Sequence, residues 1–157
     1  MPTKISASGS IVRYSNKSWG GIDIFTRVQT KDRLWHPCII ELKDENTESE
    51  PARKVIKQAL AYTVFIRELL RDTNAGADEW WKLFNMGRPL PRLNESLELF
   101  AVCMMPKPMG EDTDIDTSFG GERVEIDGDA VHLHYIYYSE NEPNVISDEY
   151  ESSLHLL

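Results

Sequence analysis

The chain has 157 residues, of which 41% are apolar, 10% aromatic and 27% charged, the make-up of one globular domain large enough for its own core. That mix excludes collagen-like, coiled-coil and wholly disordered classes, and no apolar run approaches the roughly 20 residues of a bilayer-spanning helix. The net charge of −9 is unevenly placed: residues 1–110 hold 16 Lys and Arg against 13 Asp and Glu, whereas residues 111–157 hold one Arg against 13 acids.

The first part is therefore +3 and the last part −12, so the overall acidity does not exclude a nucleic-acid partner. The acidic third reads as a solvated face or tail, or as a segment that limits non-specific binding by the basic part. Met1–Ser10 lacks the apolar stretch of a secretory signal. Cys38 and Cys103 each lie in an apolar, strand-like run, which fits buried free thiols in a reducing compartment. A cytoplasmic location and no membrane association are expected.

In chain order, Ile11–Tyr14 is short and β-prone, and Gly20-Gly21 opens a second strand over Ile22–Gln29. Thr30–Trp35 is turn-like. Pro37–Lys43 is a third strand, and its apolar stretch Cys38-Ile39-Ile40 suits a strand covered on both faces. Asp44–Glu50 is a charged loop, and Pro51 suits the first turn of a helix. From Ala52 the period changes: Ala52, Val55, Ile56, Ala59, Leu60, Thr63, Ile66 and Leu70 form one helical stripe. Asn74-Ala75-Gly76 is expected to end that helix, and Asp78 to cap a short one over Glu79–Asn85. Leu97–Met105 reads as a strand stopped by Pro106-Lys107-Pro108. Gly110–Gly121 is an acidic loop. Arg123–Ile126 and Ala130–Tyr138 form a hairpin around Asp127-Gly128. The expected class is α/β: a mixed central sheet, a long helix after the third strand, and a C-terminal hairpin, in one domain over 1–138 with an acidic tail over 139–157.

One constellation carries chemistry. Strand alternation sends Ile39, Glu41 and Lys43 to one face and Cys38, Ile40 and Leu42 to the other. A hairpin joining Ile22–Gln29 to Pro37–Lys43 puts Asp23 beside Glu41. Two carboxylates and an ammonium then converge, which is what a Mg²⁺ site for phosphodiester hydrolysis requires.

The run of Asp23, an apolar strand and Glu41-Leu42-Lys43 resembles the PD-(D/E)XK nuclease superfamily, the restriction-endonuclease-like fold. Gln58 and Tyr62, four apart on the long helix, resemble the Q-x-x-x-Y element of its RecB-like branch, and i and i+4 share a helix face. The resemblance covers about Gly20 to Arg71. It implies a metal-dependent nuclease acting on DNA, with Asp23, Glu41 and the Leu42 carbonyl on Mg²⁺ (Mn²⁺ as substitute), Lys43 orienting the water, and Gln58 and Tyr62 supporting the site or touching the substrate strand. By analogy it implies a homodimer or a place in a larger assembly. Ile22 stands where the family pattern has proline, and residues 1–22 contain no Asp or Glu, so the family's N-terminal acid has no counterpart. That departure favours the rival reading, a catalytically inactive module of the same fold that binds nucleic acid or protein.

Arg53, Lys54, Lys57, Arg67 and Arg71 support a polyanion partner, the first three as phosphate contacts near Lys43. Asp112, Asp114 and Asp116 begin like a calcium loop, but Thr117 and Arg123 occupy the glycine and glutamate positions. His132 and His134 share a strand face without a third ligand nearby. Trp80-Trp81 reads as packing, with base stacking the less favoured alternative.

Overall fold

The structure is a computed structural model; it describes residues 21–43, 51–72, 76–106 and 119–138, and the backbone of 155–156. The elements are β1 (Ile24–Gln29), β2 (Trp35–Leu42), α1 (Ala52–Arg71), α2 (Ala77–Leu83), β3 (Glu98–Pro106), β4 (Arg123–Ile126), β5 (Asp129–Tyr138) and the two-residue β6 (His155–Leu156). They form one mixed sheet in the order β4-β5-β3-β2-β1-β6. β1–β2 and β4–β5 are antiparallel, while β2–β3 and β3–β5 are parallel. The α/β class with a mixed sheet follows. Among the described residues no helix is long and apolar enough to cross a membrane.

The hairpin over 123–138 is no appendage. β5 pairs with β3 along its length, from Glu98 opposite Ala130 to Pro106 opposite Tyr138, so it is a central strand of the sheet. Its tight turn uses positive φ at both Asp127 and Gly128, the twist that two-residue hairpins favour. β6 falls in the segment read as a tail, and pairs Leu156 with Val28 on the far side of β1. The expected strand Ile11–Tyr14, the calcium-like Asp112, Asp114 and Asp116, and the remainder of the acidic tail lie outside the described residues.

α1 lies on one sheet face. Ala52, Val55, Ile56 and Ala59 pack against Ala101, Cys103, Val131, Leu133 and Tyr135. Ile66 and Leu70 pack against Ile39, Leu97 and Leu99, together with Trp81 and Met86 beside α2. The opposite face gathers Val28, Cys38, Ile40, Phe100, Val102 and Ile136. Both cysteines are buried free thiols. Burial pushes the Cys38 thiol up to about 12, so it is an inert core residue.

Several element boundaries differ from expectation by a few residues, and three of the differences have a clear cause. β2 begins at Trp35, because Trp35 and His36 pair with β1 before the β3 ladder starts at Cys38, and Pro37 therefore sits ahead of that ladder. α1 stops at Arg71, where Asp72 is extended. Asp78 is not a cap: Gly76, in the left-handed conformation, precedes α2, which starts at Ala77, and Asp78 lies in the first turn, where a carboxylate suits the helix dipole.

Candidate active site

The register of β1 on β2 sets the site. Ile24 pairs with Ile40 as the last pair of the ladder, and Asp23, just before β1, meets the main chain of Leu42, next to Glu41. Residues directly opposite share a sheet face. Alternation along β2 places Glu41 on the α1 side with Ile39, which packs there as Phe25 does. Asp23 is exposed and Glu41 is 7% exposed. The ladder ends here because the Asp23 side chain replaces a backbone acceptor: Leu42 N–H donates to Asp23 Oδ2 at 2.9 Å. Lys43 Nζ lies 3.0 Å from Glu41 Oε1.

Lys43 follows the last residue of β2, yet its main chain is held from two strands. Its N–H donates to the Met104 carbonyl at 2.8 Å. In a parallel ladder the next donor, toward the Lys43 carbonyl, would be the nitrogen of Pro106, which carries no hydrogen. The Tyr138 hydroxyl of β5 fills that role at 2.6 Å. Since Lys43 bonds toward β3, alternation directs the N–H and C=O of Leu42 toward β1, the side on which Asp23 accepts.

Tyr62 of α1 is buried in the core cluster that also holds Ile39. Burial, then the charges of Glu41 and Asp23, push its hydroxyl pKa above the usual tyrosine value, with Lys43 opposing. Asp23 and Lys43 are thus each tied to the end of β2, Asp23 through the Leu42 N–H and Lys43 through Glu41, while Tyr62 packs in the same core cluster as Ile39. Gln58, one turn earlier, is exposed, as are Arg53, Lys54 and Lys57 near the start of α1.

The donors facing this spot are hard oxygens: two carboxylates and a main-chain carbonyl. Among the described residues no group of three His, Cys, Asp or Glu is placed to hold a metal. The smaller set fits Mg²⁺, which takes one or two carboxylates and completes its shell with water and phosphate oxygens.

Arg67 and Arg71 require a correction, because they do not face a polyanion. Arg67 Nε and Arg71 Nε reach Asp129 Oδ2 at 2.7 and 2.9 Å, and Arg71 also pairs with Oδ1. Leu97 N–H donates to Oδ1 at 2.9 Å, and Arg71 further donates to the carbonyls of Pro91, Arg92 and Glu95. Burial raises the Asp129 carboxyl pKa, but the bonds from Arg71, Leu97 N–H and Arg67 outweigh it and leave the carboxyl below its usual value. The cluster ties the end of α1 to the start of β5 and to the 91–95 loop. Sequence reading missed Asp129 because it looked like part of the turn Asp127-Gly128. It also missed Tyr138, whose only signal was the proline ending β3.

His132 and His134 do share a face, with Phe100 stacked against both rings at 4.8 and 5.7 Å. His36 completes this side, bonded to Thr30 Oγ1 at 3.2 Å and to Arg88 at 3.3 Å. Arginine only donates, so His36 Nδ1 accepts and the proton is assigned to Nε2. Trp81 is core, its indole N–H donating to the Arg88 carbonyl at 2.7 Å, whereas Trp80 is 44% exposed.

No protein-family model, no curated protein and no solved structure matches the chain.

Proposed function

We propose that the chain is a metal-dependent nuclease of the restriction-endonuclease-like kind, hydrolysing phosphodiester bonds in DNA. The observation that carries this reading is the Asp23 carboxylate on the Leu42 N–H at 2.9 Å, next to Glu41 at the end of β2, with the Lys43 ammonium 3.0 Å from Glu41. The chain order supports it too: an antiparallel pair bearing the acids, then α1, then a parallel β3. Asp23, Glu41 and the Leu42 carbonyl would hold Mg²⁺, or Mn²⁺ in its place. When bound, such an ion lowers the pKa of a coordinated water and offsets charge on the phosphate.

The protein's own groups divide the remaining work. Lys43 orients the attacking water and neutralises charge that develops on the phosphate. Its position is set by Met104, Tyr138 and Glu41. Tyr62, buried on α1 and electrostatically coupled to both acids, supports the site or meets the substrate strand. Gln58 supports the site or meets the substrate strand. Arg53, Lys54 and Lys57, exposed at the start of α1, take neighbouring phosphates without reading sequence.

The test compares Mg²⁺-dependent degradation of linear DNA by wild type and Lys43→Ala, with circular dichroism to show that the fold is kept. The variant is expected to lose about 100-fold or more in rate, as for removal of one group that stabilises transition-state charge. Equal rates would remove Lys43 from the mechanism. The small donor set favours one alternative, a non-catalytic module that binds nucleic acid or a protein. Wild type that binds DNA but leaves it intact with both Mg²⁺ and Mn²⁺ would establish that alternative.

A further inference from the structure

On the α1 side of β1, two residues beyond Asp23, Phe25 begins an aromatic surface. Its ring stacks on Trp80 of α2 with centroids 6.4 Å apart and 26° between planes, and it meets Phe84 at 4.1 Å. Trp80 and Phe84 are themselves stacked at 6.0 Å and 27°. Trp80 lies beside Ile66 and Leu69 of α1, which explains part of its burial. The remaining 44% is exposed, a large share for the biggest apolar ring.

The place of this ring matters more than its exposure. Strand rise puts Phe25 about 7 Å from Asp23 along β1, and Trp80 is one stacking distance further. On the other flank of Tyr62 and Glu41, Arg53, Lys54 and Lys57 are exposed at the start of α1, which packs over β3 and β5. From β5 and β3 across β2 to β1 the order is therefore basic residues, acid pair and stacked aromatic ring, the ring set back from the sheet end by the rise from Asp23 to Phe25. That is the order met by an unpaired strand, with phosphates on lysine and arginine and a base on an aromatic face. A duplex keeps its bases stacked on one another and has no free face to offer the indole.

We propose that Trp80 is a base-stacking platform beside the Asp23–Glu41 site and that the substrate is an unpaired nucleic-acid strand. This rests on the nuclease reading and adds the substrate class to it. Phe25 and Phe84 pack against the indole, so the part-exposed ring is held in place before the strand arrives. Arg27 fastens this support: it lies 4.2 Å over the Trp35 ring and donates to the carbonyls of Phe84 and Asn85.

The experiment measures anisotropy of labelled dT12, rU12 and a 12-base-pair DNA duplex, without divalent metal, against wild type and three variants. Trp80→Ala removes the ring, Trp80→Leu keeps apolar contact with Ile66 and Leu69, and Trp80→Phe keeps an aromatic face. Thermal melts confirm that each variant folds. Wild type is expected to prefer dT12 or rU12 to the duplex. Trp80→Ala and Trp80→Leu should weaken single-strand binding by about 5- to 100-fold, the range for losing one stacked base, while Trp80→Phe stays near wild type. Single-strand binding unchanged in Trp80→Leu would overturn the platform and leave the nuclease reading standing. Tighter binding of duplex by wild type would overturn the substrate class alone. Wild type that binds none of the three would overturn both, and Lys43→Ala in the cleavage assay tests the nuclease reading independently.

Discussion

His134 makes the stability of this fold pH-dependent in a way that can be worked out in advance. Its ring lies on the sheet face opposite α1, 8% exposed, against Phe100, and its Nδ1 has no hydrogen-bond partner among the described residues. Burial first, and the neighbouring His132 second, lower its pKa to about 4 from 6.5. The folded state thus resists a proton that the unfolded chain accepts readily. Stability is complete above pH 6.5 and is lost as pH falls from there toward 4. At pH 5 the linkage relation gives a loss of about 2 kcal/mol relative to pH 8, a large share of a typical domain's stability. Among the described residues, the other groups on this side include His132, His36, Glu98, Asp32, Arg88, Arg123 and Glu125. Burial and Arg88 depress His36 in the same direction, with Glu98 and Asp32 opposing, so it adds to the slope. Urea unfolding of wild type and His134→Phe at pH 8 and pH 5 measures the effect. The variant removes the titrating ring and keeps an aromatic against Phe100, so it should lose about 2 kcal/mol less on acidification. An identical loss in both proteins would refute the assignment.

Asp129→Ala should cost about 3–5 kcal/mol, because it leaves two buried guanidinium groups and the Leu97 N–H without their carboxylate; urea unfolding measures this, and a change under 1 kcal/mol would contradict it. The depressed Asp129 pKa adds stability that is present above about pH 3.8 and lost as pH falls through the folded value, below the His134 window. Tyr138→Phe removes the hydrogen bond to the Lys43 carbonyl, at a stability cost of about 1 kcal/mol. If Tyr138 positions Lys43, the variant lowers kcat in the DNA assay with KM unchanged, whereas a purely structural hydroxyl would leave kcat alone.

Much of this protein was legible in local pattern. The stripe from Ala52 to Leu70 repeats at helical spacing because one face of α1 is buried, and it gave the helix within a few residues of its observed ends. Asp127-Gly128 specified a tight hairpin because both positions need positive φ. Alternation along β2 put Glu41 on the face of Ile39, and the spacing back to Asp23 suggested the hairpin that brings it to the main chain of Leu42. Each of these rests on a repeat or turn a few residues long, which a sequence displays directly.

What local pattern did not carry was every contact between distant segments. Asp129 looked like turn chemistry, and only packing of α1 on β5 across some 60 residues turns it into the partner of Arg67 and Arg71. Those arginines read as support for a polyanion partner because charge alone does not say whether a side chain faces solvent or an ion-pair partner. Tyr138 reaches Lys43 across 95 residues, since Pro106 leaves a carbonyl that β3 is unable to satisfy. Trp80 and Trp81 are neighbours in sequence with opposite fates, because the helix turns one ring inward and leaves the other beside Phe25 on the surface. Burial and hydrogen-bond partners are properties of assembled elements: the sequence determined which elements form, and tertiary packing alone decided which polar groups meet.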